Sequence, residues 1–153
     1  MRSVWSLSKA LAVLVIALVL VGASAEVNPP LAEGRLILAD RVTVAVELAR
    51  STDEKVRGLS NRPLLASGRG MAFVYDRPQP IGIWMKDMRF PLDIVWIREG
   101  RVVHIEKNAP PLPPGGPEKV YTATGDIVLE VPAGFSTDKN IRVGDPARLV
   151  LSQ

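Results

Sequence analysis

Leu92-Asp93-Ile94-Val95-Trp96-Ile97-Arg98-Glu99-Gly100-Arg101-Val102-Val103-His104-Ile105-Glu106-Lys107 is the stretch that decides how the fold is read. Two runs rich in β-branched and aromatic residues flank the dipeptide Glu99-Gly100, the pattern of a two-residue hairpin. In that register Arg98 faces Arg101, Val95 faces His104 and Asp93 faces Glu106. Side chains alternate along a strand, so Leu92, Ile94, Trp96, Val103 and Ile105 form a core surface. The opposite face then gathers Asp93, His104 and Glu106 beside Val95, Ile97 and Val102.

Outward from the hairpin, the strand signals continue. Val42, Val44, Val46 and Leu48 alternate with Thr43, Ala45 and Glu47, as in a half-buried strand. Ser51 and Glu54 have capping-box spacing, with Val56 and Leu59 as the apolar stripe of a short helix from Thr52. Gly58 weakens that helix, so it must rest on a sheet. Met71 to Tyr75 and Ile81 to Met85 read as two strands separated by the breaker Arg77-Pro78-Gln79-Pro80. Ile127 to Val131 is a further strand, Ser136 to Asn140 a helical turn, and Ala147 to Leu151 a closing strand. Pro110 to Pro117 holds five prolines and two glycines in eight residues, and reads as a stiff surface loop. These elements predict a mainly β domain, an antiparallel β-sandwich or partly closed barrel with one or two short helices. An α+β fold with one packed helix is the alternative.

The first 25 residues have the zones of a cleavable secretory signal. Arg2 and Lys9 lie in a charged leader, Ala10 to Val21 is unbroken and apolar, and Ala23-Ser24-Ala25 supplies small residues for the peptidase. Twelve helical residues span roughly 18 Å, short of a ~30 Å hydrocarbon core, so cleavage is favoured over a permanent anchor. The expected organisation is a signal peptide at 1–25, a loose lead-in at 26–34 and one domain at 35–153. The expected destination is periplasmic or extracellular, with membrane contact only through the signal before cleavage.

Charge and composition exclude several functions. The chain carries 19 Lys and Arg against 16 Asp and Glu, and Arg2 and Lys9 account for two of the three excess charges. The remaining +1 leaves no basic stretch to neutralise phosphates, so nucleic acid is not an expected partner. The absence of cysteine excludes disulfides, thiolate metal sites and cysteine nucleophiles. A single histidine excludes any site needing two imidazoles, and no Gly-rich phosphate loop, nucleophile elbow or paired-histidine zinc motif occurs.

Trp84-Met85-Lys86-Asp87-Met88-Arg89-Phe90-Pro91-Leu92-Asp93 resembles the Trp-Met-Lys…Pro-Leu-Asp signature of the family called domain of unknown function 192. Similar segments follow in the family's order. Glu54–Leu59 looks like its short helix ending in Gly-Leu, and Met71–Tyr75 resembles its Gly-Met-Leu-Phe strand. Val128–Gly134 is similar to its Leu-Glu-Leu-Pro-Ala-Gly segment, and Ile141–Asp145 to its closing Ile-Lys-Val-Gly-Asp. The chain departs from the commoner pattern at Ile83, where an aromatic is usual, and at Asp87, where Asn is frequent. The resemblance implies a compact, β-rich, often exported domain and carries no activity with it.

Three functional readings remain. The first is an exported module that binds a small polar ligand or assists an envelope protein, its site near Trp84, Lys86, Asp93 and the Pro110–Pro117 loop. The second is a small enzyme using Asp93, Glu106 and His104 as acid/base groups. Facing carboxylates need a proton, a cation such as Lys86, or a hard metal such as calcium between them; Asn108 could join such a metal. No other cofactor is implied. The third is a structural module that contacts partners through a sheet edge. A plainer account places Asp93 as a turn cap, Glu106 as a solvated strand end, His104 as a surface residue, and Trp84 and Met85 in the core.

Overall fold

The computed structural model describes residues 30–113, 115–116 and 119–152. The segment read as a signal peptide lies outside the described residues, as do 26–29 of the lead-in and Pro114 and Pro117 of the proline-rich loop. Among the described residues seven strands form one curled sheet: β1 (Ala32–Leu38), β2 (Val42–Ala49), β3 (Arg69–Trp84), β4 (Leu92–Arg98), β5 (Arg101–Ala109), β6 (Val120–Pro132) and β7 (Ala147–Leu151). Two short helices, α1 (Thr52–Arg57) and α2 (Phe135–Asp138), complete it. The strand order is β5-β4-β6-β3-β2-β1-β7. At one end the curl closes: Arg101 bridges Pro146, and the Val102 N–H donates to the Asp145 carbonyl at 2.9 Å. The mainly β expectation therefore holds as a partly closed barrel, not a two-sheet sandwich.

Every neighbouring pair is antiparallel except β2 and β3, which run parallel. The reason is the crossover between them, which carries α1 and returns the chain to start β3 in the direction of β2. Strand β1 was not expected: it begins at Ala32, inside the predicted lead-in, and its inward side offers only Gly34, Leu36 and Leu38 to the core. The helix begins as its sequence demands. Ser51 Oγ accepts from the Glu54 N–H, and the Glu54 carboxylate accepts from the backbone of Arg50 and Ser51. Those backbone donors hold the Glu54 carboxyl below its ordinary range.

Alternation gives each face of the sheet its own core. One contains Leu36, Val44, Val46, Val95, Ile97 and Leu129. The other contains Phe73, Ile81, Ile83, Ile94, Trp96 and Val128, and Leu59 from beyond α1 packs into it. Where two separate strands were expected, β3 is one strand with a wide irregularity. Val74 pairs with Ile127 and Gln79 with Gly125, so Tyr75 to Pro78 stand opposite Asp126 alone. The breaker residues thus bulge out of the ladder without ending it. Beyond the bulge, Ile81 and Ile83 return to the second core, and Ile81 accepts a hydrogen bond from Trp96 Nε1 at 3.1 Å.

Candidate functional site

The predicted carboxylate and imidazole cluster does not assemble. Glu99 and Gly100 both adopt positive φ (50° and 77°), as a tight hairpin turn requires, and Arg98 pairs with Arg101 as expected. After Ile97 and Val102 the register shifts, so Trp96 faces His104 and Ile94 faces Glu106. Val103 is the extra residue, a bulge that a turn dipeptide does not reveal.

Asp93 is fully buried on the first core's side, where it works as a cap. Its Oδ1 accepts from the N–H groups of Asn108 (2.9 Å) and Gly134 (3.1 Å), and its Oδ2 from that of Ser136 (2.8 Å). It ties β4 to the end of β5 and to the turn that starts α2. His104 is half-buried against Trp96, with ring centroids 5.3 Å apart, and Glu106 is partly exposed. Among the described residues no group of three or more His, Asp or Glu side chains could hold a metal ion.

The residues at the family-like signature divide. Met85 is fully buried in the second core, whereas Trp84 is 43% exposed and pairs across the ladder with Val120. Lys86 is exposed, its Nζ 5.3 Å from the Trp84 ring centroid. The turn that carries it is fixed to the end of the helical segment: Ser60 Oγ donates to the Lys86 carbonyl, and the Asn61 N–H to that of Asp87.

Trp84 leads to a feature that the sequence reading missed. An open cleft of about 740 Å³ lies between α1, β3 and β6. The bulge makes it, because Tyr75, Asp76 and Arg77 line it after leaving the ladder, beside Gln79 where the ladder resumes. Gly58 (φ 48°) ends α1 directly over Phe73; a Cβ there would stand 3.3 Å from the ring edge. Ile83, Trp84, Met88 and Val120 supply apolar wall, and Lys55 lies with its Nζ 4.0 Å from the Tyr75 ring centroid.

Glu130 lines this cleft from β6. It points to the second core's side, between neighbours Val128 and Pro132, and is only 4% exposed. Its Oε2 has no hydrogen-bond partner among the described residues. Burial pushes its carboxyl up to about 8, and the positive charge of Arg62 only partly opposes this. Arg62 is engaged elsewhere, in a two-pronged pair with Glu47 (2.6 and 2.8 Å) that holds the Glu47 carboxyl below its usual range. Tyr75 is raised above its ordinary value, first by burial and then by the nearby Glu130 carboxyl. Among the described residues the other buried side-chain atom without a partner is Ser136 Oγ, which does not line the cleft. The sequence signal for Glu130 was a carboxylate inside the apolar run Ile127–Val131, two residues from Val128 on the same face.

Fold and cleft together define a small β half-barrel domain with a hollow beside α1 and a buried acid in its wall. Residues 36–149 match the family model DUF192, described as Uncharacterized ACR, and the chain belongs to that family. It is similar to a crystal structure from Sinorhizobium meliloti 1021 described as a "putative transcription regulator". That likeness has 29% identity, a TM-score of 0.72, and covers 80% of this chain and 97% of that one. It is also similar to a protein of unknown function from Novosphingobium aromaticivorans DSM 12444, with 28% identity, a TM-score of 0.69, and 77% and 86% of the two chains covered. No curated protein matches the chain.

Proposed function

We propose that this domain is a small-ligand-binding module and that the cleft between α1 and the β3 bulge is its site. The observation that carries the reading is Glu130, a buried carboxyl with one unpartnered oxygen in the wall of an open hollow. Leaving such a group unsatisfied costs about 1–3 kcal/mol, a cost that an occupant able to hydrogen-bond it would recover. A hollow of several hundred Å³ with mostly apolar walls and a few converging polar groups is the usual form of a small-molecule site. At neutral pH Glu130 carries its proton, so it offers an O–H donor to a ligand oxygen. Trp84 keeps its place from the sequence reading, as an exposed aromatic wall. The acid/base reading based on Asp93, Glu106 and His104 loses its support, because the hairpin register puts His104 and Glu106 on the face opposite to Asp93.

Export by residues 1–25 would set the module in the periplasm or outside the cell, as a binding protein or an accessory to an envelope protein. The test is a thermal-shift screen of small polar and amphiphilic compounds, repeated on Val56→Trp. Val56 lines the cleft mouth and is 64% exposed, so the indole obstructs the hollow without entering the core. Saturable stabilisation of the wild type that Val56→Trp abolishes and Glu106→Gln leaves intact supports the cleft. Stabilisation that survives Val56→Trp places the ligand elsewhere and overturns the proposal.

A further inference from the structure

The charge around the cleft points to what it would hold. Lys55, Arg57 and Arg77 all line it, and among the described residues none lies within ion-pair distance of a carboxylate. Glu54, the acid nearest in sequence to Lys55 and Arg57, already accepts from the Arg50 and Ser51 backbone. Of the two acids that line the cleft, Asp76 is exposed and Glu130 is buried away from water. Three cations thus face one solvated carboxylate, and the adjoining wall is apolar: Phe73, Ile83, Trp84, Met88 and Val120. The ion pair of Glu47 with Arg62 belongs to the smaller neighbouring hollow, which shares Arg57 with the cleft.

From this arrangement we infer that the cleft takes a small amphiphilic organic anion. Its carboxylate or phosphate would be held by Arg57, Arg77 and Lys55, and its apolar body would lie against Trp84 and Phe73. The inference rests on the ligand-binding reading and specifies the ligand's class. A cationic ligand would face three like charges, and a neutral one would leave the unpaired guanidinium groups unused. Arginine suits the task because its planar fork matches a carboxylate or phosphate with two parallel hydrogen bonds. The Glu130 carboxyl would then receive a second oxygen of the ligand, deeper in the hollow.

A matched trio of fluorescent probes tests the charge alone: 2-naphthylacetate, 2-naphthaleneethanol and 2-naphthylethylamine, which share one aromatic body. Each is titrated into the full-length mature chain at low ionic strength and at 0.5 M salt. The acetate is expected to bind at least tenfold tighter than the alcohol at low salt, with the gap shrinking at high salt. In the double variant Arg57→Gln/Arg77→Gln, both exchanges lying at exposed positions, the acetate should bind no better than the alcohol, and the alcohol should be unaffected. Equal affinity for acetate and alcohol overturns the anion inference and leaves the binding reading standing. Tightest binding of the amine overturns it too, with Glu130 as an ionised counter-charge. Failure of all three to bind saturably overturns the binding reading and the inference with it.

Discussion

Replacing Glu130 by Gln should alter how stability depends on pH more than it alters stability itself. In the unfolded chain the carboxyl ionises near 4.5, whereas in the cleft wall it does so near 8. Below 4.5 the group is protonated in both states and costs folding nothing through its charge. As pH rises from there the unfolded chain gives up the proton and the native state keeps it, so stability falls until it levels off above about 8. Inside that window each pH unit is worth about 1.4 kcal/mol. Between pH 5 and pH 8 the wild type therefore loses about 3 kcal/mol through this residue. Gln has nearly the same shape and never ionises, so the variant escapes the loss. Any fixed cost of its unpaired amide N–H is the same at both pH values and cancels. Urea melts of both proteins at pH 5 and pH 8 provide the assay. With a denaturant slope of about 1–3 kcal/mol/M, the variant's midpoint should gain roughly 1–3 M on the wild type between the two conditions. A midpoint difference that is the same at pH 5 and pH 8 refutes the argument that the cleft wall holds a neutral carboxyl.

Asp93→Ala should destabilise the domain by about 3 kcal/mol or more in urea melts, because three backbone N–H groups, one buried and two partly buried, lose their acceptor. Naphthylacetate affinity of the folded fraction should not change, which separates a cap from a site residue. Gly58→Ala forces a side chain onto a residue with φ of 48° above the Phe73 ring, and should cost about 1–3 kcal/mol in the same assay. Arg62→Met removes the charge that partly opposes the effect of burial on Glu130, so the Glu130 midpoint should climb above about 8 in an NMR titration. The same exchange frees Glu47 from its hydrogen-bonded partner, so the stability that the Glu47 carboxylate contributes above its ordinary range, and loses as pH falls through its lowered value, should disappear. Wild-type affinity for 2-naphthylacetate should fall as pH rises through about 8, where Glu130 loses its donor proton and becomes a like charge; an affinity that rises over that range would mean the carboxyl is a counter-charge.

Local chemistry made much of the fold legible. Ser51 with Glu54 announced the helix cap, Glu99-Gly100 the hairpin turn, and the alternating valines from Val42 the second strand. Each of these signals is written within a few residues. Strand β1 was hidden because its buried side has two large apolar residues, too few to show a period. The bulge at Val103 was hidden for a different reason: β4 keeps an unbroken register against β6, so the extra residue falls on β5, where the turn dipeptide does not specify it. One residue of shift was enough to take His104 and Glu106 away from Asp93. The cleft depended on long-range placement even more. Its walls come from α1, from the interrupted β3, from the turn at Met88 and from Val120 and Glu130 near opposite ends of β6, places that share no sequence pattern. Trp84 was legible as a candidate, while Glu130 looked like one polar residue in a family-like strand.

The most direct test of the central claim is a carboxyl-carbon NMR titration of Glu130 in chain labelled with 13C at glutamate, assigned by comparison with Glu130→Gln. A midpoint near 8 is expected for the free domain, and a still higher one when 2-naphthylacetate fills the cleft. A midpoint in the ordinary carboxylate range, or one that saturating ligand does not move, would contradict the claim.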